Sequence, residues 1–172
     1  MARGIKAAES GQKRRNDRLL KGVKHLGKQV KSEVLPLTVD IARQRALSRE
    51  QVAALESLQI DAAGTAIKSL ASLAKINELD HLGGGLELIP PLLLTLAVSD
   101  YEKVEYTIEH AHTSVGYYAA LAALGFVSEE SVVEGFRRGL DIPGHVSWLP
   151  GGTQLNGGRL GVMIPVAVGQ AL

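Results

Sequence analysis

Cysteine is absent from the 172 residues, which excludes disulfides, thiolate metal sites, iron–sulfur clusters and cysteine nucleophiles, and fits a reducing compartment. Aromatic residues are scarce, with one tryptophan, four tyrosines and two phenylalanines. None lies in the basic N-terminal stretch, so a base-stacking platform for nucleic acid is poorly supported there. Long apolar runs are also missing. The longest, Leu86 to Val98, carries Glu87, Pro90 and Pro91 and falls short of the roughly 18 residues that a membrane helix needs. The opening MARGIKAAESGQKRRNDR lacks the apolar core of a signal peptide. These absences together lead us to expect a soluble, cytoplasmic chain with no membrane partner.

What is present suffices for one domain of ordinary size: 45% of residues are hydrophobic and 22% charged, enough to bury a core. The net charge of +1 conceals an asymmetry, because residues 1–33 hold ten Lys and Arg against three acids while residues 34–172 hold nine against fifteen. An arm of +7 on a body of −6 marks a solvated tail, a nucleic-acid arm, a membrane-surface helix, or a segment that docks on an acidic surface, its own body included. We divide the chain into a basic arm, residues 1–45, and a body, residues 46–172.

Within the arm, Leu19, Val23, Leu26, Val30 and Val34 recur at spacings of 4, 3, 4 and 4. That periodicity predicts an amphipathic helix with Lys21, Lys24, Lys28 and Lys31 largely off its apolar face. Too few heptads are present for a coiled coil, and packing on the body or on a partner subunit suits the pattern better than nucleic-acid readout. In the body, Ser48 and Gln51 form a capping-box pattern ahead of Val52, Leu55 and Leu58. The apolar series continues to Ile76 as one or two helices, with Gly64 as a point of interruption. Gly83 to Gly85 read as a glycine-rich turn into the apolar segment. A further helix is expected from Thr113 and Ser114 to a Gly125 C-cap, and a short one after Ser128, with Glu129 and Glu130 in its favourable first turn. The sequence closes on VMIPVAVGQAL, in which Gln170 is the single polar side chain; a helix of that composition has to bury its surface against something. No segment alternates clearly enough to predict a sheet.

Five histidines are candidates for chemistry: His25, His81, His110, His112 and His145. His25 sits on the arm. The other four lie beside glycines or at a helix entrance, in the contexts DHLGGG, EHAHTS and PGHVSW, and such places commonly hold ligands and catalytic groups. Taken one at a time, each reads more readily as a surface or satisfied core histidine. His110 and His112 alone are too few ligands for the usual zinc patterns, so no metal ligand is assigned in this chain.

The order of the blocks says more than any one of them. INELDHLGGGLELIPPLLLTL, IEHAHTSVGYYAALAALGFVSEESVVEGFRRG, IPGHVSWLPGG and NGGRLGVMIPVAVGQAL resemble, in the same order and with similar spacing, the N-terminal part of the transketolase family, over roughly residues 50–172. Some positions depart from the family pattern: Asp80 stands in place of a glycine, His110 and Ala111 precede the second histidine, Val146 replaces a proline, and Arg159, Val162 and Met163 alter the last turn.

The resemblance implies thiamine diphosphate chemistry, in which a two-carbon ketol unit passes from a ketose-type donor to an aldehyde acceptor, the cofactor serving as electron sink. By position, His81, His112 and His145 match the family's catalytic histidines, and His112, Gly158, Leu160 and Gly161 match residues that approach the cofactor. The implied fold is mainly α in this chain, the N-terminal helical portion of an α/β thiamine diphosphate-binding fold. The family's Gly-Asp-Gly motif, which holds Mg2+ and the diphosphate, would begin shortly after residue 172, and the pyrimidine domain with its glutamate is not in the matched part. One or more partner chains are therefore expected to supply both, making a split, hetero-oligomeric transferase acting on a small sugar or keto substrate. Two other readings stay open: a non-catalytic scaffold or regulatory subunit derived from the same fold, and a subunit of a thiamine-dependent 2-oxo acid decarboxylase or dehydrogenase component.

Overall fold

A computed structural model describes residues 39–40, 42–78, 82–98, 106–139, 142–147 and 160–172. The arm with its predicted helix lies outside these residues. The described part is mainly helical, without a strand. Its helices are α1 (Arg49–Ala74), α2 (Gly83–Val98), α3 (Ser114–Ala123), α4 (Glu129–Gly135) and α5 (Met163–Ala171), and a 3-10 turn, Ala111–Thr113, leads into α3.

Helix α1 starts where the capping box places it. The Ser48 hydroxyl accepts the Gln51 N–H at 3.2 Å, and the Gln51 side chain accepts the Ser48 N–H at 2.9 Å, so two otherwise unpaired donors satisfy each other's residue. Hydrogen bonds from its own backbone and from Ser48 hold the Glu50 carboxyl below the usual range. The helix then runs unbroken for 26 residues, so Gly64 does not interrupt it. Burial of Leu58, Ala62, Ala66 and Leu73 along one side outweighs the roughly 1 kcal/mol that an internal glycine costs.

Gly83 to Gly85 form the first turn of α2 and not a turn ahead of it. The reason is a close crossing. A Cβ on Gly116 of α3 would stand 1.8 Å from the Gly85 carbonyl oxygen, and one on Gly85 would stand 2.5 Å from a Val115 methyl, so two backbones touch where neither residue has a side chain. Pro90 and Pro91 lie inside α2 and withdraw two helical N–H donors. Glu87 and Pro91 are on the exposed side, where solvent can take up a freed carbonyl.

Helix α3 is the centre. Every residue from Ser114 to Ala122 is buried, with α1, α2 and α4 packed around it. Its alanine-rich composition follows from that position, because small side chains let three neighbours approach one short helix. It ends as its glycine predicts: Gly125 takes φ 87°, its N–H donates to Ala122 O, and the Phe126 N–H donates to Leu121 O, both at 2.9 Å, the 6→1 and 5→2 pair of a Schellman motif. Phe126, Phe136 and Ile142 complete the core on this side.

Ser128 caps α4 by accepting the Ser131 N–H at 3.1 Å. After α4, the Arg138 guanidinium donates to Ser72 Oγ at 2.9 Å, to Ser72 O at 2.6 Å and to Glu134 O at 3.0 Å. This fork fastens the end of α4 to the last turn of α1, whose carbonyls lack helical partners. The crossing of α2 and α3 leaves no room for a methyl group. Gly116→Ala should therefore lower stability by about 3 kcal/mol or more, read as a lower urea midpoint at an unchanged slope.

Candidate active site

Two of the three candidate histidines meet. The rings of His112 and His145 lie edge to face, with centroids 5.0 Å apart and planes at 74°, and both residues are exposed. They come from different parts of the chain, one on the 3-10 turn that leads into α3 and the other on the loop that follows α4. Their meeting is produced by main-chain anchoring of that loop.

Three hydroxyls on one side of α3 hold it, at positions i, i+3 and i+4. Ser114 Oγ donates to Gly144 O at 2.7 Å, Tyr117 Oη to Ser147 O at 3.1 Å and Tyr118 Oη to His145 O at 2.7 Å. Tyr118 Oη also accepts the Ser147 N–H at 3.0 Å, and the Val146 N–H donates to Ala111 O at 3.0 Å. The backbone of residues 144–147 is thereby pinned at five points while the His145 side chain stays outside. Burial pushes the Tyr118 hydroxyl well above the ordinary tyrosine range, only partly offset by its bond with Ser147, so it remains a protonated donor throughout the neutral range.

The approach to the site on the other side is similarly fixed. The Thr113 hydroxyl and N–H both turn back to His110 O, at 2.9 Å and 3.3 Å, while Ser114 holds the loop, so neither hydroxyl caps α3. Gly84 and Gly85 pack on Thr113, Val115 and Gly116, which brings the first turn of α2 to the head of α3. His81 and Gly158 lie outside the described residues. Leu160 and Gly161 are described and exposed, Gly161 with φ 84°.

Glu109, absent from the sequence-based candidates, links this turn to the histidine segment. Its carboxylate accepts the Gly161 N–H and, at 2.9 Å, the Met163 N–H. A carboxylate at the start of α5 suits both the unpaired N–H groups and the helix dipole. The sequence signal was its charge three residues before His112; the partners, more than fifty residues further on, gave none. Helix α5 itself buries no residue, and Leu160, Val162, Ile164, Val166, Val168 and Leu172 are all exposed.

Comparison with known protein families, with curated proteins and with solved structures finds no match. The reading of the site therefore rests on its own geometry. Among the described residues no group of three or more His, Asp and Glu could hold a metal ion, and no helix is long and apolar enough to cross a membrane.

Two expectations follow. The Tyr118 proton is held more tightly in the folded chain than in the unfolded one, whose tyrosines titrate near pH 10. The associated stability is therefore full below that pH and is lost as pH rises beyond it. In an alkaline titration, tyrosinate absorbance and loss of helical circular dichroism should rise together, and Tyr118→Phe should move that transition to higher pH while costing about 1–3 kcal/mol at neutral pH, because it strands the Ser147 N–H and the His145 carbonyl. Glu109→Ala should release the head of α5, speeding amide exchange in residues 163–171 about fivefold, in line with the roughly 1 kcal/mol of a lost cap.

Proposed function

We propose that this chain is the histidine-bearing part of a transketolase-like enzyme that depends on thiamine diphosphate and Mg2+. It passes a two-carbon ketol unit from a ketose-type donor to an aldehyde acceptor, and a partner chain completes it. The observation that carries this reading is the His112–His145 pair, two exposed imidazoles 5.0 Å apart on a backbone held from within by α3.

The residues present fit part of such a site. Exposed Leu160 offers an apolar contact for a ring, and the open main chain at Gly161, where no atom lies within 4 Å of an added Cβ, allows a flat group to approach. Magnesium and diphosphate ligands are assigned to the partner. When bound, thiamine diphosphate supplies the electron sink for breaking and making the carbon–carbon bond. The work of this chain is proton movement. A neutral imidazole carries one accepting and one donating nitrogen. One of the pair accepts the proton of the donor's hydroxyl while the other donates a hydrogen bond to the donor's carbonyl oxygen. When the acceptor replaces the donor, the ring that took the proton returns it to the acceptor's carbonyl oxygen, which becomes a hydroxyl. The exposed apolar surface of α5 supports the need for a partner, since a helix of that composition gains by leaving water.

Native mass spectrometry of the chain, recovered from its own cells under mild conditions, tests assembly. A stoichiometric partner with mass for thiamine diphosphate and magnesium is expected, and a free chain would overturn the reading. In the assembled complex, His112→Asn and His145→Asn should each lower ketol transfer by about 10²-fold or more with the complex intact. Unchanged turnover would identify the chain as a scaffold subunit.

A further inference from the structure

The outer side of α1 is apolar where it faces solvent. Ser57, Ile60, Gly64, Ile67, Ala71 and Ala74 follow spacings of 3, 4, 3, 4 and 3, so they form one straight stripe on the helix. Ile60 is 71% and Ile67 52% exposed, the other side of the helix being the one buried against the core. Between the two isoleucines, a Cβ on Gly64 would meet nothing within 4 Å. The stripe is therefore a shallow trough between two large apolar side chains, shaped for another helix to lie in.

We propose that residues 19–34 of the basic arm form a helix that lies antiparallel along this stripe, with Leu19, Val23, Leu26 and Val30 against Ile60, Gly64 and Ile67. Four observations select this occupant. The first is spacing: from Leu19 to Val30 the arm's apolar residues recur at 4, 3 and 4, the same alternation as the stripe, so the two faces stay in register over those three intervals. The second is length. Sixteen helical residues span about 24 Å, and the stripe from residue 57 to residue 74 about 26 Å, at 1.5 Å per residue.

The third is the point of entry. The Val39 N–H donates to Ala97 O at 3.1 Å, and the N–H groups of Arg43 and Gln44 both donate to Asp40 O, closing a turn. The Gln44 amide then donates to the Gln51 side chain at 2.7 Å, in the first turn of α1. The arm consequently joins the body beside the start of α1, with four residues between Val34 and Val39. A helix that ends there and lies on the stripe has to run back along α1, which also sets the two helix dipoles in opposition. The fourth is charge. The acids of α1, Glu50, Glu56 and Asp61, are all in its first half and exposed, and the antiparallel arrangement places Lys28 and Lys31 of the +7 arm at that end.

The absence of cysteine makes the test clean. In the 172-residue chain, otherwise unchanged, cysteine pairs are introduced at Val30 with Ile60 and at Val23 with Ile67. The opposite-sense pairs, Val23 with Ile60 and Val30 with Ile67, serve for direction, and Lys28 with Ile67 serves as an off-face control. Under mild oxidation at low protein concentration, the first two pairs should close within one chain at least about tenfold faster than the control, as expected of residues held at a high effective concentration. Faster closure of the opposite-sense pairs, disulfides only between two chains, or no pair exceeding the control would each overturn the proposal, the second outcome assigning the stripe to another copy. A measurement without cysteines supports it independently. Ile67→Glu, at an exposed position, should raise amide exchange of residues 19–34 about tenfold and leave α3 unchanged, and equal exchange in both proteins would also overturn the proposal.

Discussion

The contact of Gly85 with Gly116 is the constraint on which the other features depend. Because two main chains touch there, α2 crosses the first turn of α3 at a distance that no side chain would allow. That fixes the first turn of α2 over the head of α3. Helix α3 is then enclosed from three directions, and its only polar outlets are the hydroxyls of Ser114, Tyr117 and Tyr118, which all point to one loop. A helix buried this completely has little conformational freedom, so whatever it holds is held rigidly. The position of His145 relative to His112 follows from these steps in order.

Local chemistry was legible in the sequence wherever partners are close in the chain. The Ser48–Gln51 box, the Gly125 terminus and the Ser128 cap are each decided within four residues, and each takes the expected form. The glycines at 83–85 were misread because their purpose is tertiary: a run that suggests a turn by local preference is helical once a second backbone has to pass against it. Gly64 shows the same imbalance, since packing along 26 residues outweighs one unfavourable position. The resemblance put His112 and His145 in one set of candidate residues without saying that their rings meet, and it did not include the tyrosine anchors or Glu109. Their partners lie about 27 to 54 residues away, and no spacing rule connects them.

The apolar surfaces divide in a way that the charge pattern helps to explain. The stripe on α1 is flanked by acids and lies beside the entry of a basic segment of the same chain. Helix α5 has neither feature. It carries no charged side chain and is attached through its first turn to Glu109, so its apolar face suits a surface that is itself uncharged. Two exposed apolar faces of the described residues thus differ in kind, one bordered by charge and the other without it.

The loop carrying His145 is gripped by its peptide groups. The five bonds from Ser114, Tyr117, Tyr118 and Ala111 go to carbonyls or N–H groups of residues 144–147, and none of the five uses the imidazole. The scaffold is therefore indifferent to which side chain it displays at position 145. Such a platform leaves the displayed group free to differ while its placement stays the same, whereas Val146, buried and donating its N–H to Ala111 O, belongs to the anchoring itself.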